Sequence, residues 1–559
     1  MFEELRAIQR DFGYLPADQL KTLAANIHVP VSQIHAVASF YPHFHLSPPP
    51  KVDVRVCADM SCHLRGGDKV RSALDSAFQG TDPRDVSIRD VSCLGRCDQA
   101  PAIMVNDNIY AHATSRDAVT MAEDALTGKP LPGRHEKTER MEVVSDPYRS
   151  SSNHGLGQYA VVRRFVETRN WQEIIASLKA AGLRGMGGAG FPTFSKWELV
   201  RNAAGSTKHI VCNADESEPG TIKDRGIMEN VPYLVIEGMI TAGLVTGARR
   251  GILYIRHEYE GPKEVLQAEI DRCHQQGLLG SRILGSDLAF DLEIFVSPGG
   301  YICGEESALL EAIEGKRAEP RNKPPFPVTN GLWNQPTVIN NVETFCLATV
   351  ILARGADWYK AQGKNGSVGM KFVGISGDVN RPGIFEVPMG TTYSELIYEN
   401  AGGISDGGKL LAFAPSGPSS GYLPASMATL PLDWNAVAAA GSMVGSGAIV
   451  VCAEGRCMLD MALNATRFYR NESCGKCVPC RVGSQKLVEM LKSWTTGQSS
   501  KDDMQVLEEL STAMKQASIC GLGQVVPVPI ASVMKHFPGM VEEHIVHRRC
   551  PGGICFNRP

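Results

Sequence analysis

At 559 residues the chain exceeds what one hydrophobic core organises, so about three to five domains are expected. Apolar residues make up 43%, charged residues 21%, and the net charge is −4, with no excess of cations to track a phosphate backbone; this argues against a nucleic-acid partner. The amino terminus, MFEELRAIQRDFGYL, lacks the basic flank and apolar stretch of a secretory signal, and no run of about 18 apolar residues occurs, so a soluble, cytoplasmic protein without a membrane span is expected. In that reducing compartment the 16 cysteines point to metal rather than to disulfides.

Leu5, Ile8, Phe12 and Leu15 recur at helical spacing, and residues 2–45 read as a small helical cap. After Pro48–Pro50, KVDVRVCADM alternates like a strand. A helix from Asp68, the strand VSIRDVSC, a hairpin turning at Asn106–Asn108 and a helix from Ser115 follow, an order that suits a small α/β layer of thioredoxin type. Residues 128–155 are rich in Pro, Gly, Ser and charge and read as a linker. From about 160 to 345 helices alternate with the apolar strands HIVCNA, GILYIRHEY and DLEIFVSP, the pattern of an α/β unit that binds ligand at strand ends. Lys371 to Pro431 reads as a β-rich module, and from Ser442 the chain is expected to turn helical.

Cys57 and Cys62, and Cys93 and Cys97, form two close pairs at the ends of predicted strands. Four thiolates in two short loops suit a [2Fe–2S] cluster, while zinc or buried free thiols remain open on spacing alone. Loop glycines and polar residues supply N–H groups for cluster sulfurs, which favours the cluster. In ESCGKCVPCRVG, Cys474, Cys477 and Cys480 stand at three-residue steps, and Cys520 in ICGLG is a distant fourth ligand for a [4Fe–4S] cubane. Between these lies LRGMGGAGFPTFSKW, whose glycines expose backbone N–H groups to a phosphate and whose Lys196 adds a charge; a tight turn is the plain alternative. NADESEPG and SPGGYICGEESALLEAIEG contribute carboxylates that either face ribose and ring atoms or form a solvated acidic loop. In the tail EEHIVHRRCPGGIC, His544, Cys550 and Cys555, with Cys457 upstream, suit a closed zinc site; His547 competes for the role, and a frayed tail stays open.

These motifs, with NKPPFP and PTVINNVET, resemble a fusion of the two peripheral NADH-oxidising subunits of respiratory complex I, the 24-kDa-type and the 51-kDa-type, over nearly the whole length. The resemblance implies an α/β multidomain fold. It implies a helical cap and thioredoxin-like [2Fe–2S] domain over residues 1–127, a linker over 128–155 and a Rossmann-like FMN/NADH domain over 156–360. It also implies a ubiquitin-like β-rich SLBB module over 361–440 and a helical [4Fe–4S] domain with the zinc-type tail over 441–559. It further implies that Gly185, Gly187, Lys196, Asn213, Asp215, Glu216, Gly304, Glu305, Asn340, Asn341 and Thr344 line FMN. Phe191, Glu218, Glu306, Lys323 and Phe326 are implied to hold NAD(H), with the two phenylalanines as stacking faces and Glu306 nearest the chemistry. The chain departs from the family at Met186, where an Arg is common, and at Leu199, where an aromatic often stands; a positive charge and an aromatic face are lost. Zinc is implied for similar tails in diaphorase subunits of multi-subunit hydrogenases.

Nicotinamide moves two electrons as hydride and a cluster accepts one, so the flavin is the transformer between them. Hydride transfer needs stacking and alignment more than a base. The expected role is a diaphorase subunit of a hetero-oligomer, with formate dehydrogenase, whose molybdopterin catalytic subunit is a separate chain, as the leading partner. An NAD-linked or bifurcating hydrogenase comes second and complex I third. A non-enzymatic iron–sulfur scaffold is the contrasting class.

Overall fold

Three short helices, Phe2–Phe12, Ala17–Asn26 and Val31–Ala38, open the chain. The first begins with Glu3 and Glu4 against its positive end and stops at Gly13, which takes the left-handed conformation (φ 79°). It buries Phe2 and Leu5, whereas Phe12, expected in the apolar stripe, is exposed. The computed structural model describes residues 1–133, 141–149, 156–500 and 502–556.

The next unit is a four-stranded sheet of β1 (Val52–Cys57), β2 (Val86–Val91), β3 (Ile103–Val105) and β4 (Asn108–Tyr110), ordered β2-β1-β3-β4. Strands β1 and β2 run parallel, with Cys57 opposite Val91, so the loops that follow both strands leave the same edge. Helices Gly67–Ala77 and Ser115–Leu126 cover the sheet over a core of Val52, Val54, Val70, Leu74 and Ala118.

A short strand β5 (Met141–Glu142) lies inside the stretch expected to be a linker. Val143, Ser145 and Asp146 are buried there, and the Glu386 carboxylate accepts the N–H groups of Val144 (2.6 Å) and Ser145 (2.9 Å). The segment is polar because its backbone groups are satisfied by a buried carboxylate, a partner that composition does not reveal. Of the remainder of that stretch, 134–140 and 150–155 lie outside the described residues.

The third unit carries four parallel strands, β6 (His209–Ala214), β7 (Arg250–Arg256), β8 (Asp291–Ser297) and β9 (Thr337–Asn341), ordered β8-β7-β6-β9. Helices Pro232–Thr246 and Val342–Arg354 pack together on the face presented by Ile210, Cys212 and Leu253, while Val211, Ile252 and Tyr254 on the other face join Leu309 and Leu310 of helix Glu306–Ile313. The order reverses between β6 and β9, so a crevice is expected beyond their carboxyl ends.

The β-rich module contributes β10 (Met370–Gly377), β11 (Gly383–Pro388), β12 (Leu410–Pro418) and β13 (Leu423–Pro424). Its sheet is completed by β14 (Ala448–Ala453), in the order β13-β12-β14-β10-β11-β5. The strand β14 corrects the expectation of helix from Ser442. Its unbroken AIVVCA run between Gly447 and Gly455 carries no period that separates strand from helix, and it forms a central strand between β10 and β12. Helices then dominate, including Met458–Asn471, Val478–Thr495 and Asp503–Ala517. No helix among the described residues is long and apolar enough to cross a membrane.

Candidate functional site

The crevice at the reversal point is built from several loops. The glycine loop follows helix Trp171–Ala181 and precedes helix Thr193–Asn202. The Gly185 N–H closes on the Phe191 carbonyl at 2.8 Å, while Gly188 (φ 128°) and Gly190 (φ 65°) adopt backbone that a side chain would strain. The loop is anchored to β9 and the helix after it: the Met186 N–H donates to buried Thr344 Oγ1 at 2.9 Å, and a Cβ on Gly187 would stand 3.0 Å from Asn341 Cβ. Opposite, Asn213 Nδ2 donates to the Gly304 carbonyl at 2.7 Å, and a Cβ on Gly304 would stand 3.0 Å from the Asp215 carbonyl. A side chain at either wall would crowd its neighbour by a few tenths of an ångström.

Charges are distributed unevenly around this cradle. Lys196 Nζ donates to the Ile339 carbonyl at 2.8 Å; burial lowers its pKa and the Glu306 carboxylate partly opposes that. Lys323 Nζ bridges Glu305 (2.9 Å) and Glu306 (2.6 Å). Burial pulls its pKa down, but the two carboxylates outweigh this and leave it raised. Glu305 also caps the helix Glu306–Ile313 through the N–H groups of Ser307 and Ala308. Phe191 and Phe326 stand exposed with their faces available for stacking. Leu199 is exposed as well, whereas Met186 is buried in the core, so the residue at 186 serves packing rather than a phosphate.

Four expected flavin residues have partners within the chain. The Glu216 carboxylate accepts the Asp224 (2.8 Å) and Arg225 (3.0 Å) N–H groups and the Tyr259 hydroxyl (2.9 Å), capping helix Lys223–Asn230. Asn341 is oriented by Lys223 Nζ on its oxygen (3.1 Å) and by Asp224 Oδ2 on its nitrogen (2.6 Å). Asn340 Oδ1 accepts the Trp197 indole N–H at 2.9 Å. Asp215 accepts Ser217 Oγ (2.5 Å) and Ser297 Oγ (2.8 Å), and Glu218 accepts the Ser419 N–H from the β-rich module at 3.2 Å. Sequence reasoning missed these supporting residues. Lys223, Asp224 and Arg225 carry the one available signal, three consecutive charged residues, all buried.

Two cysteine sets flank the crevice. In the first unit Cys57, Cys62, Cys93 and Cys97 are all buried; Cys57 hydrogen-bonds both Cys62 and Cys93, and the Cys93 and Cys97 sulfurs are 3.3 Å apart. Neighbouring thiols and burial push Cys57 and Cys97 well above the usual thiol range, while hydrogen bonds from those two thiols hold Cys93 well below it. The Gly95 N–H points at Cys93 Sγ (3.4 Å) and the Gly220 N–H at Cys97 Sγ (3.2 Å), as cluster sulfurs require. In the second set Cys474, Cys477, Cys480 and Cys520 ring one small apolar cavity walled by Ile302, Pro320, Ile519 and Leu522. Burial raises Cys480 to about 12 and Cys520 to about 11. Both donor sets fit iron–sulfur clusters, and the glycine cradle fits a flavin phosphate.

The tail forms a third set. The ligand atoms of Cys457, His544, Cys550 and Cys555 all lie within 4.8 Å of one another. His544 Nδ1 stands 2.8 Å from the Met540 carbonyl, which leaves Nε2 facing Cys457 Sγ at 3.4 Å, the tautomer a metal ligand needs. The five remaining thiols, Cys212, Cys273, Cys303, Cys346 and Cys452, are buried.

Family models match along the whole chain: a thioredoxin-like [2Fe–2S] ferredoxin over residues 1–125 and a Nuo51 FMN-binding domain over 178–349. An SLBB domain follows over 372–423 and an NADH-ubiquinone oxidoreductase-F iron–sulfur binding region over 460–544. The chain is 32% identical to the NAD-reducing hydrogenase HoxS subunit alpha of Cupriavidus necator over 97% of its own length and 92% of that protein. It is 41% identical to an NADH-quinone oxidoreductase subunit of Rhizobium meliloti, over 73% of this chain and 97% of the relative. A crystal structure of an NAD+-reducing [NiFe]-hydrogenase in the H2-reduced state contains a chain that superposes with a TM-score of 0.87 at 31% identity, covering 97% of this chain and 93% of that one.

Proposed function

The chain belongs to the family of NADH dehydrogenase-type flavin and iron–sulfur subunits, and from that premise we propose that it is the diaphorase of a larger complex, exchanging hydride between NAD(H) and FMN and single electrons with a catalytic partner. One observation carries the reading: the flavin cradle and the second cysteine cavity share a wall. Ile302 lines the cavity and Gly304, two residues on, packs against Asp215 in the crevice. Tyr301 beside them donates its N–H to Glu472 at 2.6 Å, two residues before Cys474.

FMN, when bound, supplies the exchange between two-electron and one-electron chemistry. The chain's residues do the positioning. The Gly185–Gly190 backbone and Lys196 would hold the phosphate end of FMN, and Asn213, Asp215, Gly304, Asn340 and Thr344 would form its cradle. Phe191 and Phe326 offer stacking faces at the mouth, with Glu218, Glu306 and Lys323 as polar contacts for the dinucleotide. Cys474, Cys477, Cys480 and Cys520 would hold the cluster that supplies the first one-electron acceptor, and the four amino-terminal cysteines would hold a second cluster able to store or relay charge. His544 and the three tail thiols would hold zinc.

The full-length relative is a hydrogenase subunit, which favours an NAD-linked hydrogenase over a formate dehydrogenase as the host complex. Nickel in the copurified large subunit supports the first and molybdenum the second. The test of the core reading uses the whole chain under anaerobic NADH. Wild type is expected to bleach its flavin and reduce ferricyanide. Lys196→Ala should retain less FMN with unchanged cluster absorption, and Cys477→Ser should keep flavin bleaching but block delivery to the partner. Native protein with neither flavin nor acid-labile sulfide refutes the assignment.

A further inference from the structure

The loop that carries Cys93 and Cys97 is not finished by its own domain. Arg256, the last residue of β7 in the flavin-type unit, is buried and donates from Nη2 to the Cys93 carbonyl at 2.7 Å. Its Nη1 donates to the Glu216 carbonyl at 2.5 Å and its Nε to Glu258 at 2.8 Å. Arg225, also from the flavin-type unit, grips Asp98 through both carboxylate oxygens (2.9 and 2.7 Å) and bonds the Gly95 carbonyl. The Gly220 N–H ends on Cys97 Sγ, and its loop is wedged in place, since a Cβ on Gly220 would stand 2.7 Å from Val450 Cγ2.

These two guanidinium groups differ in effect. Arg225 is matched by a bidentate carboxylate on the cysteine loop itself, so the pair adds little net charge there. Arg256 places its cation against the cysteine backbone and keeps its carboxylate partner, Glu258, off the cysteine loop, at the lining of a cavity of about 710 Å³ that Cys93 also lines. Tyr259 lies under the Arg256 guanidinium at 5.2 Å from the ring centroid, and His257, Glu472, Arg55, Arg89 and Asp90 line the same cavity. Each reduction of a cluster adds one negative charge, and net charge, hydrogen bonds to sulfur and solvent exposure are what set its potential. A fixed cation beside a cluster favours the reduced state.

We propose that Arg256 is a positioning residue through which the flavin-type unit sets the reduction potential of the amino-terminal [2Fe–2S] centre, holding it higher than the cysteine-bearing domain alone would. The inference rests on the assignment of that centre to Cys57, Cys62, Cys93 and Cys97. It makes the centre's potential a property of domain docking.

The test is a redox titration of the whole chain, followed by electron paramagnetic resonance of both centres, with iron and flavin content measured alongside. Arg256→Gln should move the [2Fe–2S] midpoint to more negative values while the [4Fe–4S] midpoint stays in place. Arg256→Lys, which keeps the charge, should move it less. Glu258→Gln removes the countercharge without touching the cysteine loop and should move the midpoint to more positive values, so it decides the matter should Arg256→Gln fail to assemble. An unchanged midpoint in Arg256→Gln, or in Glu258→Gln where Arg256→Gln does not assemble, with intact clusters overturns the proposal, as do equal shifts in the Gln and Lys variants. Wild-type protein without a [2Fe–2S] signal instead refutes the ligand assignment.

Discussion

Replacing Arg225 with Met breaks an ion pair whose two members come from different domains. Both side chains are buried, at 0% and 2% exposure, and the guanidinium makes two hydrogen bonds to Asp98 as well as one to the Gly95 carbonyl. The variant leaves the Asp98 carboxylate in the dry junction without its cation, a change that costs about 3–5 kcal/mol when one member of a buried pair is removed. The pair itself is worth much less, because two desolvated ions offset most of their attraction. The double variant Arg225→Met with Asp98→Leu should therefore recover most of the loss, the two sites coupling strongly. The assay is the urea concentration at which the visible circular dichroism of the [2Fe–2S] centre disappears, compared across wild type, both single variants and the double. A single-variant loss below about 1 kcal/mol, or a double variant as damaged as the sum of the singles, refutes the account of the junction as a mutually dependent buried pair.

Glu218 gives a pH signature. Burial raises it from the ordinary value of 4.5 to about 7, so the folded chain takes up a proton that the unfolded chain releases, and stability falls as pH rises between those values. Glu218→Gln removes the penalty, and its advantage over wild type in urea titrations should widen by about 2 kcal/mol between about pH 5.5 and pH 8; a gap independent of pH contradicts the burial argument. The tail yields a metal prediction: purified protein should contain about one zinc per chain, and Cys550→Ser should lose it and loosen the residues after Val541, read by metal analysis and hydrogen exchange. Full zinc occupancy in the variant removes Cys550 from the ligand set.

What can be read from the sequence divides along physical lines. Iron–sulfur ligation demands thiols at short fixed spacing, so Cys474, Cys477 and Cys480 announce themselves locally, and the strand ends that carry Cys57 and Cys93 are visible as alternating runs. The burial of Val143 and Ser145 is hidden because their partner, Glu386, lies more than two hundred residues away. The strand β14 is hidden for the opposite reason: a central strand is apolar on both faces and carries no period of two to separate it from helix. Met186 looks like a missing phosphate contact, yet its side chain fills the core while its N–H serves Thr344. Glu216 looks like a flavin contact because it stands in a motif of acids, but three donors from residues 224, 225 and 259 occupy its carboxylate.

The acid-rich loop NADESEPG poses an electrostatic problem, since carboxylates beside a phosphate cradle repel the ligand. The structure resolves it by giving every carboxylate in the loop its own donors. Asp215 is held by two serine hydroxyls, Glu216 by a helix N-terminus and a tyrosine, and Glu218 by a backbone N–H of the SLBB unit. Burial raises all three, Asp215 to about 6, so the loop presents less negative charge than its sequence suggests. The donors come from several units, and the same short loop sends Gly220 to Cys97 and Thr221 Oγ1 to Ser446 Oγ at 2.8 Å. Its conformation is therefore over-determined by the flavin-type, thioredoxin-like and SLBB units together. Fusing the [2Fe–2S] and flavin units in one chain keeps them at equal stoichiometry, and this loop turns their proximity into a fixed geometry between the crevice and the amino-terminal cysteines.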